Sequence, residues 1–403
     1  MTDTRLLTRV VLRNYKSIAA CDVRPSNLSF LVGPNGAGKS NFLDSLRFVT
    51  DSLRFSLDHA LRDRGGIAEV RRRSSGHPTH FGIRLEFRVG TSSGHYAFNV
   101  AAKPRGGYEV QTEECYVTYP KGDRPPEFYQ VDGGVVARTS LSPAPVPASD
   151  RLYLVAVSGV AAFRPIYDAL SSMGFYSLNP DKIRDLQSPD PGELLLRDGS
   201  NLASVLTNLA TRAPSQKRRI EEYLSKVVPG IDGVSVKSVG PKEALVFRQD
   251  VRGAKHPWQF FASNMSDGTL RALGILVALF QGVGTNGGSQ RLVGIEEPEV
   301  ALHPAAAGVL TGGLRDASQH AQVLVTSHSP DLLDDESIPD DSILAVVAEH
   351  GETRIGQLDE AGRSVLSDRL YTAGDLLRMD QIKPDPTTSN LDPSQLQLFG
   401  QRS

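Results

Sequence analysis

The sequence predicts an α/β fold built on a mixed β-sheet, and three observations lead to this prediction. An apolar strand, a glycine-rich turn and a helix follow one another between residues 28 and 53. Segments of alternating apolar and polar residues between positions 81 and 136 indicate antiparallel strands. Helices alternate with short apolar strands after residue 266, which is typical of an α/β layer.

Residues 1–80 predict a strand, loop and helix in succession. Residues 6–12 and 28–32 are apolar enough to form two strands. Behind the second strand, four apolar residues recur at the spacing of one helix face: Phe42, Leu46, Val49 and Leu53. This is the order of elements that a phosphate-binding unit requires.

The turn between that strand and helix carries the clearest chemical signal. It reads Gly33, Pro34, Asn35, Gly36, Ala37, Gly38, Lys39 and Ser40, a complete GxxxxGK[ST] motif. Glycines allow backbone amides to turn inward around a phosphate, and the helix N-terminus adds partial positive charge. We expect Lys39 to reach the β- and γ-phosphate oxygens and Ser40 to ligate Mg²⁺.

The middle of the chain predicts two segments of different type. Residues 81–140 form an antiparallel β subdomain, and a proline-rich connector follows at residues 142–147. Residues 150–230 carry helical apolar stripes and are predicted to be a helical insertion. Five prolines in this segment interrupt any sustained heptad, so the sequence excludes a long coiled-coil arm.

Residues 231–380 hold three further candidate motifs. An apolar strand ends in Glu296 and Glu297, which suggests a magnesium-assisting carboxylate and a water-activating base, in that order. A second strand ends at His328, where a γ-phosphate contact is plausible. Ser266 and Asp267 precede an apolar helix, so they are candidates for its N-cap, for an anion site, or for both.

Taken together, the motifs resemble a known family. They are residues 12–17, the P-loop, the Ser-Asp-Gly-Thr signature at residues 266–269, Ile295-Glu-Glu-Pro-Glu299, Leu302-His303-Pro304 and Thr326-Ser-His-Ser-Pro330. This set is similar to the ATPase heads of ABC/SMC type in the RecF and OLD-like group of bacterial AAA proteins, which are associated with DNA repair or anti-phage defence. The chain departs from that pattern in having Asp267 in its signature and no Gln between Ser40 and Tyr108.

The resemblance implies a P-loop NTPase fold and a head-to-tail homodimer, or a higher oligomer, around ATP and Mg²⁺. It implies nucleotide contacts from Asn14, the P-loop and Asn41, and from Ser266, Asp267 and Gly268 of the opposing subunit. Glu296 would assist Mg²⁺, Glu297 would activate water, and His328 would sense the γ-phosphate. Residues 1–80, 81–140 and 231–380 would then all belong to the ATPase head.

Composition and charge place limits on these expectations. Two cysteines, Cys21 and Cys115, fit a reducing compartment such as the cytoplasm, and the sequence shows neither a signal peptide nor a membrane-length apolar run. Residues 381–403 lack apolar periodicity and are predicted to be a disordered tail. Arg71, Arg72 and Arg73 are either a solvated basic loop or a non-specific contact for the phosphates of DNA.

The leading hypothesis is an ATP-hydrolysing switch that acts on DNA or on a separately encoded effector. An OLD-type nuclease in the same chain is an alternative, although only about 75 residues follow His328 and they hold no strand-end Asp-x-Asp. The ATPase of a membrane transporter is a third class, but the coupling glutamine and the Ser-Gly-Gly-Gln signature that it needs are absent.

Overall fold

The structure is a computed structural model that describes residues 4–74, 76, 78–120, 123–282, 291–303 and 306–400. The chain divides into two compact units. The P-loop unit comprises Arg5–Met173, Asp340–Asp368 and Gln381–Ser403, and the signature unit comprises Met1–Thr4, Gly174–Pro339 and Arg369–Asp380.

The P-loop unit contains these elements: β1 (Leu7–Tyr15), β2 (Ile18–Val23), β3 (Leu28–Val32), α1 (Lys39–Arg54), α2 (Leu57–Arg62), α3 (Ile67–Val70), β4 (His80–Val89), β5 (Ser92–Ala102), β6 (Tyr108–Thr118), β7 (Glu127–Asp132), β8 (Val135–Thr139), α4 (Tyr153–Ala156) and α5 (Arg164–Ser171). Its later segments add β15 (Ile343–Glu349), β16 (Glu352–Gln357), α12 (Glu360–Ser367) and α14 (Pro386–Ser389).

The strands of this unit lie in the order β8-β7-β6-β5-β4-β1-β2-β16-β15-β3. Neighbours are antiparallel except for the pairs β2 with β16 and β15 with β3, which are parallel. The prediction of a mixed sheet is therefore confirmed. Helix α1 buries Phe42, Leu46, Val49 and Leu53, the four residues whose spacing predicted it.

The signature unit contains β9 (Gly174–Tyr176), α6 (Pro180–Arg184), α7 (Leu202–Arg212), α8 (Pro214–Val227), β10 (Ile231–Val239), β11 (Lys242–Gln249), β12 (Trp258–Phe261), α9 (Asp267–Phe280), β13 (Leu292–Glu296), α10 (Ala307–Ala317), β14 (Gln322–Ser327), α11 (Pro330–Leu333) and α13 (Ala373–Arg378). Strands β9, β13 and β14 are parallel, and β10, β11 and β12 form a separate antiparallel sheet. The carboxyl ends of β13 and β14 thus lie side by side at one sheet edge.

Residues 150–230, the predicted helical insertion, contain helices α4 to α8 but are not helical throughout. The short strand β9 interrupts it, because Gly174 to Tyr176 pair with Val293 to Ile295 of β13. Three residues are too few for a periodic pattern to appear in the sequence. Within the described ranges no helix exceeds the 16 residues of α1, in agreement with the exclusion of a coiled-coil arm.

The C-terminal segment differs from the predicted disordered tail. Leu398 is 2% exposed and fills the space above Gly82, where a Cβ would lie only 2.3 Å from its Cδ1. The guanidinium of Arg84 donates to the carbonyl of Leu398 at 2.9 Å, and the amide of Gly400 donates to Glu114 at 2.8 Å. The tail is ordered by these few long-range contacts, which leave no periodic signal in its sequence.

No helix in the part of the chain that the structure describes has both the length and the apolar character needed to cross a bilayer.

Candidate functional site

The P-loop unit places the GxxxxGK[ST] turn between β3 and α1, as predicted. Gly36 and Gly38 have φ angles of 77° and 102°, the left-handed backbone that turns successive amides toward one side. Within the described chain the amides of Gly36, Gly38 and Ser40 have no hydrogen-bond partner. Unpaired amides at a helix N-terminus form a cradle for an anion.

Lys39 is buried inside this turn. Its ammonium group donates to the carbonyls of Gly33 at 2.8 Å and Pro34 at 3.0 Å, and only 4% of the residue is exposed. The exposed Ser40 follows it with its hydroxyl oxygen at the start of α1, a hard oxygen ligand of the kind that Mg²⁺ prefers. The residues present therefore fit a magnesium–triphosphate group.

Two glycines of the turn lie against β15 and β16, and the sequence motif does not reveal these contacts. A Cβ on Gly33 would lie 1.9 Å from the carbonyl oxygen of Val346. A Cβ on Gly38 would lie 2.0 Å from Oγ1 of Thr353. Both positions need glycine because of close packing, in addition to the backbone angle at Gly38.

Thr353 is a supporting residue that the sequence analysis missed. Its hydroxyl donates to the carbonyl of Ala37 at 2.8 Å and lies 2.7 Å from the hydroxyl of Ser17, which accepts from the Asn41 amide at 2.6 Å. This chain of bonds joins β16, the β1–β2 turn and α1 around the P-loop. The Asn41 side chain thus supports the loop, and its predicted nucleotide contact stays a prediction.

Asn14, the other predicted nucleotide contact outside the loop, lies near the end of β1 with φ of 57° and 8% exposure. Its carbonyl accepts from the amide of Arg72. No contact between Asn14 and the P-loop residues is found in the described chain, so its role also stays a prediction.

A buried ion cluster holds α1 behind the loop. Asp44 contacts Lys16 and Arg64, and it accepts a hydrogen bond from the Tyr15 hydroxyl at 2.9 Å. Burial alone would raise the pKa of Asp44, but the charges and hydrogen bonds of Arg64 and Lys16 lower it to about 2. Asp44 is therefore ionised at neutral pH and ties α1 to its surroundings.

The basic loop of the sequence analysis is neutralised within the folded unit. Arg64 is buried between Asp44 and Asp51, and Arg72 pairs with Glu352 at 2.8 Å. Arg73 pairs with Glu69, and Arg71 donates to the carbonyl of Pro78 at 2.6 Å. These contacts favour the structural alternative for this loop over a contact with DNA.

The signature unit brings the two predicted acids to the end of β13, but in different environments. Glu296 forms an ion pair with Arg197, with 2.7 Å between Oε1 and the guanidinium. The carbonyl of Arg197 accepts from the amide of Ser177, just beyond β9, so its backbone is fixed beside the strand that neighbours β13. Arg197 is a second residue that no sequence motif indicated.

Glu297 and His328 lie together at the ends of β13 and β14. Glu297 has φ of 44°, and its amide donates to the carbonyl of Thr326 at 3.0 Å. Its Oε1 lies 3.3 Å from Nδ1 of His328, close enough for electrostatic contact although the hydrogen-bond angle is not met. A left-handed conformation at a non-glycine residue costs about 1–3 kcal/mol, and such strain is concentrated at functional sites.

Glu299 holds the backbone of His328 and the side chain of Ser327 in place. Its Oε1 accepts from the Ser327 hydroxyl at 2.8 Å and from the His328 amide at 3.2 Å, whereas its buried Oε2 has no partner in the described residues. Glu299, to which the sequence analysis assigned no role, therefore belongs to the same polar group as Glu297 and His328. Within the described chain no three His, Cys, Asp or Glu side chains are placed to hold a metal by themselves.

The signature residues begin α9 as expected. The Ser266 hydroxyl accepts from the amide of Thr269 at 3.2 Å, so it is the N-cap, and Asp267 pairs with Arg184. Gly268 packs against the loop after β13, because a Cβ there would lie 2.4 Å from the carbonyl of Ala301. The cap is confirmed, whereas the anion site stays a prediction; Pro304 of the Leu-His-Pro motif lies outside the described residues.

Similarity to solved structures supports the predicted fold. The structure matches an SMC head bound to the C-winged helix domain of ScpA, with a TM-score of 0.53 and 13% identity over 89% of this chain and 99% of that one. It also matches the Pyrococcus furiosus SMC head with an extended coiled coil bound to the C-terminal domain of ScpA, with a TM-score of 0.55 and 10% identity over 91% and 99%. At these identities the likeness shows the fold alone. A search of curated proteins finds no match.

A family model gives the remaining finding. The model described as "AAA domain, putative AbiEii toxin, Type IV TA system" matches residues 28–334, which is more than half of the chain and includes the P-loop, the signature, Glu297 and His328. The expected ABC/SMC-type fold is confirmed by the two SMC heads. The chain belongs to this AAA family.

Proposed function

We propose that this protein is an ATP-binding and ATP-hydrolysing switch. The observation that carries the proposal is the P-loop itself: open amides at Gly36, Gly38 and Ser40 surround a lysine whose charge is held inside the turn. Such a cradle suits the β- and γ-phosphates, and Ser40 supplies an oxygen ligand for Mg²⁺. Membership of the AAA family supports a nucleotide as the ligand.

In the proposed reaction Glu297 is the general base. Its carboxylate is 37% exposed and so accessible to a water molecule, and His328 and the Thr326 backbone fix its position. With nucleotide and metal bound, His328 would be the residue that contacts the γ-phosphate, and Glu296 would be the carboxylate that assists Mg²⁺. When bound, Mg²⁺ supplies charge that offsets the negative charge of the phosphates.

The test of nucleotide binding is Lys39→Ala, with Lys383→Ala as the matched control because Lys383 is an exposed lysine of the same unit. We expect Lys39→Ala to abolish ATP binding in equilibrium dialysis, since no other cation lies inside the turn. The control should bind ATP like the parent. Unchanged ATP affinity in a folded Lys39→Ala protein would refute the assignment.

The test of hydrolysis compares Glu297→Gln with Glu296→Gln. We expect Glu297→Gln to retain ATP and to slow its hydrolysis by at least about 100-fold, as loss of a positioned base does. If Glu296→Gln alone has that effect while Glu297→Gln hydrolyses ATP normally, the roles of the two acids are reversed.

We further propose that ATP closes a head-to-tail homodimer, or a higher oligomer, through Ser266, Asp267 and Gly268. The start of α9 offers helix amides near an exposed serine, which suits a γ-phosphate from a second subunit. A Ser266→Arg variant should bind ATP yet fail to dimerise in a Glu297→Gln background, measured by sedimentation. An ATP-dependent dimer of the double variant would contradict the arrangement.

The output of the switch is proposed to pass to a separate effector protein or to DNA, in DNA repair or anti-phage defence, in the cytoplasm. The matched SMC heads are each bound to a domain of ScpA, which illustrates a head of this fold working with a partner. A nuclease in the same chain gains no support, because Asp334 is engaged by Arg378 and Thr372. Co-purification of the tagged protein would identify the partner.

A further inference from the structure

The small antiparallel sheet of the signature unit contains three strands, β10, β11 and β12. Its register sorts the side chains of β10, β11 and β12 onto two faces. Val234, Phe247 and Phe260 share one face, which packs against α7 and α8. Lys237, Lys242 and Phe261 are exposed on the other face, called the open face, although Ala244 and Val246 of the same face are buried.

The open face is positively charged. Lys237 and Lys242 are exposed and have no acidic partner in the described part of the chain. Lys237 lies over the Phe261 ring at 5.9 Å, and Lys242 contacts only the hydroxyl of Ser188 at 3.1 Å. Arg248, on the same face, is the exception because it pairs with Asp232 at 3.4 Å.

The edge of this sheet exposes aromatic rings on both sides. Among the described residues strand β12 pairs with β11 alone; Trp258, on the face of Phe260, is 55% exposed, and Phe261, on the face of Lys237, is 41% exposed. The turn that leads into β12 adds the exposed cations Arg252 and Lys255, which have no ion pair among the described residues. Burying such exposed rings against a flat ligand would be favourable.

We propose that single-stranded nucleic acid binds this β12 edge surface, defined as Lys237, Lys242, Arg252, Lys255, Trp258 and Phe261. Cations attract the phosphates, and flat aromatic rings stack on bases that are free of a complementary strand. The combination favours a single strand over a duplex, whose bases are stacked and covered. It also favours nucleic acid over an acidic peptide, which satisfies the lysines but offers no ring to stack.

The chain contains one tryptophan, so Trp258 reports directly on this surface. The experiment titrates the full-length protein, without ATP, with a 20-nucleotide dT strand at about 100 mM NaCl while tryptophan emission and the anisotropy of a labelled strand are recorded. We expect quenching of the emission in parallel with binding, because a stacked base contacts the indole ring.

Two substitutions separate charge from stacking. Lys237→Glu should weaken binding by about tenfold and lower the salt dependence, since each phosphate contact contributes a slope of about 0.7 for single strands. Trp258→Ala should weaken binding by at least about fivefold, and Trp258→Phe should restore much of it. Arg105→Glu is the control, because it changes an exposed, unpaired arginine of the P-loop unit by the same charge.

Several outcomes would overturn the proposal. They are the absence of binding by the parent protein, equal losses in Lys237→Glu and Arg105→Glu, and equal affinity for the duplex of the same sequence. Displacement of the dT strand by polyglutamate at equal charge would reassign the surface to acidic polypeptides. Since none of these measurements uses ATP, they succeed or fail independently of the Lys39→Ala result.

Discussion

A single methyl group on Gly38 tests whether β16 supports the P-loop. At this position φ is 102°, and an alanine Cβ would lie 2.0, 2.7 and 2.9 Å from Oγ1, Cγ2 and Cβ of Thr353. The left-handed conformation alone costs about 1–2 kcal/mol for alanine. Forcing the methyl against a β-branched side chain in a strand adds about 1–3 kcal/mol. We therefore expect Gly38→Ala to lower the free energy of unfolding by about 2–5 kcal/mol.

Gly36→Ala is the matched control, because Gly36 also has positive φ, at 77°, but a Cβ there meets nothing within 4 Å. Gly36→Ala should lower the free energy of unfolding only by the cost of the left-handed backbone, about 1–2 kcal/mol. Urea denaturation followed by circular dichroism measures both variants, and ATP affinity is measured beside it. Thr353→Ala removes Oγ1 and Cγ2, so it should recover about 1–2 kcal/mol in the Gly38→Ala background. Equal costs for the two glycine variants, without recovery by Thr353→Ala, would refute the reasoning.

Three further predictions concern stability and the signature. Asp44→Asn leaves the buried Arg64 short of a partner, so it should lower the free energy of unfolding by about 3–5 kcal/mol at pH 7, measured by urea denaturation. Because the pKa of Asp44 in the folded protein is about 2, its stabilising contribution in the parent is lost as pH falls from about 4 to about 2. Burial raises the pKa of Glu113 to about 7, so the parent should lose stability as pH rises from about 4.5 to about 7, and Glu113→Gln should flatten this part of a melting-temperature profile. Gly268→Ala places a methyl group 2.4 Å from the carbonyl oxygen of Ala301 and should reduce ATPase activity while ATP affinity is kept. Gly308→Ala is the control, because a Cβ there meets nothing within 4 Å, and it should leave both quantities unchanged.

Local sequence patterns predicted those parts of the fold that local interactions determine. The P-loop, α1 and the strands β13 and β14 each combine a periodic apolar pattern with an adjacent motif, and all were found. The order of the motifs also indicated the type of ATPase, and the family model matches one continuous range, residues 28–334, that contains the P-loop, the signature, Glu297 and His328. Such features need only neighbouring residues, so a sequence is sufficient to recognise them.

The contacts that support the site could not be predicted in the same way. Thr353 is more than 300 residues from Ala37, and Arg197 is about 100 residues from Glu296. Each pairing depends on which strands become neighbours, and no periodicity encodes that. The same holds for Leu398, which is ordered by the gap above Gly82.

The arginines show why charge in a sequence is a poor guide to binding. Arg71, Arg72 and Arg73 are three consecutive cations, yet the fold pairs Arg72 and Arg73 with acids and Arg71 with a carbonyl. A cation that already has a partner must give up that contact before it can neutralise a phosphate, and the net gain is then small. Lys237 is isolated in the sequence and contacts the Phe261 ring, but it has no acidic partner among the described residues. Affinity for a polyanion therefore depends on the cations that folding leaves without acidic partners, and in our proposal Lys237 and Lys242, on the same sheet face as the exposed Phe261 ring, are such cations.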